Sequence, residues 1–248
     1  MSRNPYDVDF FSGQWQASYQ SARQVVPKIL SLVVVNSVLD VGCGVGAWLK
    51  AFMENGVQDI IGIDGQYVET SHLLIEASYF HPYDLVKPFS LGRTFDLAIC
   101  LEVAEHLPEN NADVLFDSIC LHSTAVLFSA AIPGQGGTHH VNEQWPSYWI
   151  RKFSARNFIA IDCIRPLIWD LPEVECHYPQ NTILFLKDGH PKCQALAALP
   201  SFHGASLVHP NLFKSHHEAV SWRIIWSLIV RRFKIGSPMR GLRKFLRA

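Results

Sequence analysis

The chain has 248 residues, 48% of them apolar and only 17% charged, with a formal net charge of -1. That composition excludes a disordered or fibrous chain and is enough to fill the core of one sizeable α/β domain. Eight Lys and Arg side chains follow His217 against Glu218 alone, leaving 13 basic and 21 acidic residues before them, so the body is not built to track a phosphate backbone and nucleic acid is not its expected partner.

In chain order, Gly13 to Leu32 is expected to form a covering helix with Trp15 and Tyr19 as aromatic anchors, interrupted near Pro27. Ahead of it, Asp7 and Asp9 stand where a signal peptide would be basic and then apolar, so a cytoplasmic protein is expected. Val38, Leu39 and Val41 suit a strand at Ser37–Val41 covered on both faces. Gly42, Gly44 and Gly46 then allow a tight turn, and Ala47 to Phe52 can open a helix.

Further strands are expected at Asp59–Ile63, weakly at Ser78–Tyr83, and at Phe95–Cys100 and Thr124–Ala130. Asn110 to His122 forms the clearest intervening helix. After Pro133-Gly134-Gln135-Gly136-Gly137 comes a long loop, then a helix from Trp145 to Phe153 and strands at Asn157–Asp162 and Thr182–Lys187. The expected organisation is a covering helix over 1–36, a cofactor domain over 37–190 with an aromatic insert at 163–181, and an extension over 191–248. The six cysteines form no Cys-x-x-Cys pair, so neither a zinc knuckle nor a redox motif is indicated and free thiols are expected.

Asp64, at the end of the second strand, lies where a dinucleotide-type fold places the acid that meets ribose hydroxyls, and the glycine spacing alone leaves NAD and S-adenosylmethionine both open. The third element is Phe95 to Pro108, a buried strand running into Glu102-Val103-Ala104-Glu105-His106 at the carboxyl edge of the sheet. With Asp-x-Gly-x-Gly-x-Gly at Asp40 to Gly46 and Asp64 in order before it, this strand end resembles the class I S-adenosylmethionine-dependent methyltransferases over roughly Val38 to Lys187. The resemblance implies a Rossmann-like, doubly wound, seven-stranded sheet, mostly parallel with an antiparallel last strand and helices on both faces. It implies that Gly42 and Gly44 approach the amino-acid end of S-adenosylmethionine, that Asp40 receives its ammonium and Asp64 its ribose, and that Asp84 and Leu85 face the adenine. Asp84 in its Pro-Tyr-Asp turn is equally able to cap the following segment.

Transfer to a hydroxyl also requires a proton acceptor, and His106 and His140 are the candidates. Glu102, Glu105, His106 and His140 together would also suit Mg2+ or another divalent cation, as in two metal-using branches of the family, the ubiquinone-pathway O-methyltransferases and the small-RNA 2′-O-methyltransferases. Many metal-free members carry the same Glu-Val-x-Glu-His. Arg165, Trp169, Tyr178, Gln180 and Asn181 of the insert are the candidate acceptor contacts, with packing as the alternative role for the aromatic ones.

The basic amphipathic segment at 219–248 suits contact with the inner membrane surface, packing on the domain, or a homodimer contact. The expected activity is O-methylation of a hydroxyl on a sugar, glycolipid, lipid-linked glycan or small phenolic metabolite. The rivals are N- or C-methylation, RNA-end 2′-O-methylation, and a cofactor-binding scaffold that has lost catalysis.

Overall fold

The computed structural model describes the backbone of residues 8–216 and the side chains from Trp15 onward. The basic segment at 219–248, with its expected membrane or dimer contact, lies outside the described residues. Residues 1–207 form one compact unit and 208–248 a second, in which residues 210–216 are helical. No helix among the described residues is long and apolar enough to cross a membrane.

The first unit opens with α1 (Val8–Leu32), β1 (Ser37–Val41), α2 (Ala47–Glu54), β2 (Asp59–Asp64), β3 (Phe80–Pro82) and β4 (Leu97–Leu101). It continues through α3 (Ala112–His122), β5 (Ala125–Ser129), α4 (Pro146–Ser154), β6 (Phe158–Ile161), α5 (Arg165–Ile168), α6 (His177–Asn181), β7 (Ile183–Lys187) and α7 (Cys193–Ala197). The strands form one sheet in the order β3-β2-β1-β4-β5-β7-β6. Every pairing is parallel except those of β7, which runs antiparallel to both β5 and β6. This is the doubly wound, seven-stranded arrangement expected, with the penultimate position in space held by the last strand in sequence.

The two-residue repeat of a strand sorts its apolar run onto two layers. Val38, Leu97, Ile99, Leu127, Leu184 and Leu186 pack on one face with Val25, Val26 and Ile29 of α1 and Phe52 of α2. Leu39, Val41, Ala98, Val126, Phe128 and Phe185 pack on the other with Phe116 of α3 and Trp149 and Phe153 of α4. Both faces are therefore dry, which explains strands with no polar alternation. The rings of Phe153 and Phe185 stack with centroids 3.9 Å apart, pinning α4 beside the antiparallel strand.

Two expectations about α1 need correction. It begins before Gly13, and it continues through Pro27 without a break. Proline there removes one helical N–H, but Val25, Val26 and Ile29 around it are fully buried on the sheet, and that packing outweighs the lost bond.

Candidate functional site

Asp40 stands one residue before the end of β1, and the chain then turns through Gly42 (φ +83°), Gly44 (φ +52°) and Gly46 (φ +82°), the last heading α2. The amides of Gly42 and Cys43 both donate to the carbonyl of Ile63, at 2.8 and 3.2 Å, tying the turn to β2. A Cβ on Gly42 would overlap the side chain of Val103, and its backbone lies in the left-handed region besides. Gly42→Ala should therefore lower unfolding free energy by about 1–3 kcal/mol, measurable by urea denaturation; a change under a few tenths would mean that the turn yields freely.

Asp64 ends β2 almost fully buried. Its Oδ2 accepts the Gly44 amide at 2.7 Å, and its Oδ1 accepts the Gly65 amide at 2.6 Å and the Tyr67 hydroxyl. A carboxylate has about four acceptor positions, so one on Oδ2 remains for a further donor, and a second hydroxyl requires Tyr67 to give way. Burial raises the Asp64 pKa, and these three hydrogen bonds work against it. Asp40 has no such help: its Oδ2 is buried without a partner, and burial followed by the charge of Asp64 drives its pKa well up. A cation placed against Asp40 would reverse that shift. Asp84 is exposed at the rim of its turn. It lines the same cleft, accepts the Val86 amide at 3.3 Å as a turn cap, and pairs with Lys87 at 3.1 Å, whose hydrogen bond lowers its pKa.

At the end of β4, Glu102 takes a left-handed backbone (φ +56°) and receives Nδ2 of Asn181 on Oε1 at 3.0 Å and Nε2 of Gln135 on Oε2 at 2.8 Å. Gln135 in turn accepts from Asn181 at 2.9 Å and from Gln180 at 3.0 Å through its Oε1. Glu105 is fully buried. One of its oxygens accepts the Ala131 amide, the other has no hydrogen-bond partner, and burial together with neighbouring Glu102 drives its pKa well up.

Glu105, His106 and His140 each bring a ligand-type atom to within 4.8 Å of the others, and the two imidazoles meet edge to face with centroids 4.8 Å apart. Burial, then the charge of His140, lowers the His106 pKa from its ordinary 6.5, against a hydrogen bond to the His139 backbone. His140 Nδ1 lies 2.9 Å from Glu143, whose carboxylate also accepts the amides of Gly134 and Gly136. Burial raises the Glu143 pKa, but these hydrogen bonds outweigh it and the net shift is downward.

Of the expected metal set, Glu105, His106 and His140 form the close group, and Glu102 beside them is held by the amides of Gln135 and Asn181. The expected acceptor set changes more. Arg165 is 0% exposed and fully engaged: it pairs with Asp162 through Nε at 2.8 Å and through NH2, and donates from NH1 to the carbonyls of Gln180 and Ala205, each at 3.0 Å. Trp169 packs edge-on against Phe202, and Asn181 lies behind Glu102. None of these three lines the cleft, whereas Tyr178 does, with its hydroxyl 3.0 Å from Ser18 and 3.3 Å from the indole nitrogen of Trp48. Sequence reasoning missed Tyr67 and Gln135, whose only signals are their places next to Asp64 and inside the Gly134–Gly137 loop.

The cleft bounded by these groups measures about 300 Å³ and opens at the carboxyl ends of β1, β2 and β4. Asp40, Gly42, Gly44, Asp64, Asp84, Leu85, Glu102 and His106 all line it. A parallel sheet with a glycine turn after its first strand and a buried acid after its second is the nucleotide-cofactor class of α/β enzyme. A family model described as a methyltransferase domain matches residues 15–153, more than half of the chain. The chain belongs to that family, and its fold is that of the class I S-adenosylmethionine-dependent methyltransferases.

No curated protein sequence matches significantly. Among solved structures, the chain is similar to DesVI of Streptomyces venezuelae at 14% identity and a TM-score of 0.54, over 73% of this chain and 100% of that one. It is similar to CalS10 of Micromonospora echinaspora, an amino pentose methyltransferase solved with S-adenosylmethionine, at 14% identity and a TM-score of 0.53, over 75% and 100%. It is also similar to magnesium protoporphyrin IX methyltransferase of Synechocystis PCC 6803, solved with S-adenosylhomocysteine, at 17% identity and a TM-score of 0.51, over 69% and 84%. At these identities the likeness is one of fold.

Proposed function

We propose that this protein is a cytoplasmic enzyme that methylates a hydroxyl of a sugar, glycolipid or small phenolic metabolite, with His106 as the proton acceptor. The observation that carries the reading is the His106 imidazole lining the cleft, held neutral near pH 7, with His140, backed by Glu143, packed against it. Sugar acceptors agree with CalS10 being an amino pentose methyltransferase, although there the name points to an amino sugar.

S-adenosylmethionine, when bound, supplies a methyl carbon on a positively charged sulfur. Asp64 would take a ribose hydroxyl on its remaining Oδ2 position, Asp40 the ammonium, and the Asp84–Leu85 edge the adenine. The acceptor hydroxyl would then approach the methyl carbon from the His106 side. As the acceptor oxygen is methylated, the His106 imidazole would receive its proton.

Asp64→Ala should weaken S-adenosylmethionine binding about a hundredfold, because it removes a charge-assisted hydrogen bond and unties Gly44 and Gly65. Calorimetry checks this, and an unchanged affinity would remove the cofactor assignment. For the base, methyl-transfer rates with radiolabelled cofactor and a panel of neutral sugars and catechols should hold steady as pH falls to 6.5 and decline only below it, since His106 protonates below the ordinary histidine value. A decline beginning well above pH 6.5 would exclude His106.

One observation favours a second reading. The partnerless oxygen of buried Glu105 belongs to a group whose donors, one carboxylate and two imidazoles, are of the kind that a divalent cation takes. Glu105, His106 and His140 would hold the ion, with Glu143 orienting His140 from behind, and the ion would lower the pKa of a bound hydroxyl. Full activity in EDTA rejects this version, whereas loss restored by Mg2+ would move His106 from base to ligand.

A further inference from the structure

The charges around the cleft are unbalanced. Asp40, Asp64, Asp84, Glu102 and Glu175 line it, and among the described residues no lysine or arginine does. Two of these acids are already answered, Asp64 by two amides and a phenol and Asp84 by Lys87, and Glu175 lies 3.8 Å from His177. Among the described residues no cation answers Asp40 or Glu102. The Oδ2 of Asp40 is buried with no hydrogen-bond partner at all, which is a costly state for a polar atom and one that a cationic ligand would relieve.

Glu102 is fixed in place. Neutral amides of Gln135 and Asn181 hold one oxygen each, Gln180 braces Gln135, and the left-handed backbone at Glu102 sets the carboxylate against that cradle. It cannot swing out to solvent when the cleft fills. A carboxylate that keeps its position in a partly dry site acts on a nearby charge much more strongly than one on the surface.

Resting on the reading that S-adenosylmethionine occupies this cleft, with Asp40 answered by the ammonium that cofactor and product share, we propose that Glu102, held by the Gln135–Asn181–Gln180 amide cradle, makes the site select the cationic sulfonium cofactor over its neutral thioether product. Methyl transfer converts the sulfonium to a thioether as the C–S pair returns to sulfur, so turnover itself removes the charge that the cleft holds. The product is released by the same field that captured the substrate, and the enzyme resists inhibition by S-adenosylhomocysteine.

Calorimetry on the full chain with three probes tests this: S-adenosylmethionine, S-adenosylhomocysteine, and sinefungin, which carries an ammonium in place of the sulfonium. The two cationic probes should bind about tenfold more tightly than the thioether at low salt. In Glu102→Gln that preference should fall to about twofold or less, with the affinity for S-adenosylhomocysteine kept. Retained thioether affinity also shows that the variant is folded. Should Glu102→Gln bind none of the three, the wild-type ranking and Asn181→Ala decide, the latter releasing one oxygen of Glu102 and expected to lose part of the preference. Thioether binding as tight as sulfonium binding in the wild type, sinefungin ranking with the thioether, or a preference that survives in Glu102→Gln would each overturn the proposal. No heat from any of the three with wild-type protein would instead remove the cofactor assignment on which it rests.

Discussion

Replacing His106 with alanine is expected to lower kcat by about 10²–10⁴-fold while leaving the dissociation constant of S-adenosylmethionine within about a factor of two. The ring lines the cleft, and burial beside His140 keeps it in the neutral form that accepts a proton. A hydrogen bond to the His139 backbone orients the ring. Gly137→Ala should reproduce part of the loss from a position that touches no substrate, because its Cβ would overlap the His140 imidazole. Stopped assays with radiolabelled cofactor, paired with calorimetry on each variant, separate the two constants. A His106→Ala enzyme with wild-type kcat would mean that the acceptor arrives as a better nucleophile, such as a free amine, and needs no base here.

Arg165→Ala is expected to lower unfolding free energy by about 3–5 kcal/mol, enough to reduce the melting temperature by about 10 °C in a chain of this size. The loss comes from what remains behind. Asp162 is 4% exposed, and apart from the Gly204 amide at 3.0 Å, Arg165 supplies its hydrogen bonds. The carbonyls of Gln180 and Ala205 would be stranded with it. Because one guanidinium joins the end of β6, the helix carrying Tyr178 and Asn181, and the segment at Ala205, the damage should reach the cleft as well as the melting curve. Asp162→Leu combined with Arg165→Met removes both charges at once and should recover much of the stability. A shift below 1 kcal/mol for Arg165→Ala would show that water reaches the pair.

Arg165 also marks where the sequence stopped being readable. An arginine among aromatic residues in an insert suits a substrate contact and a buried brace equally well, and the feature that separates them, complete burial against Asp162 three residues upstream, exists only once β6 and β7 have paired. The amide cradle is harder still, since Gln135 and Asn181 are 46 residues apart and meet Glu102 only through the long loop after β5. The left-handed backbone of Glu102, whose carboxylate meets the amides of Gln135 and Asn181, has no signature in residue type.

By contrast, β1 occupies the span expected for it, and Asp64 closes β2 as expected. Apolar runs between glycine turns carry their own meaning, because a strand buried on both faces tolerates nothing else. The weak third strand shrank to Phe80–Pro82, an edge position where proline is tolerated because one side of the strand pairs with nothing. Periodicity places elements, and spacing places the cofactor acids; side chains whose partners come from distant loops need the folded chain.

The most direct test of the account is a crystal structure of the protein with S-adenosylmethionine or its thioether product. The ribose is expected on Asp64, the amino-acid end beside Asp40 and the Gly42–Gly44 turn, and the reacting sulfur on the side of the cleft where Glu102 and His106 stand. Density for the cofactor anywhere outside this cleft, or within it but with the ribose away from Asp64, would contradict it.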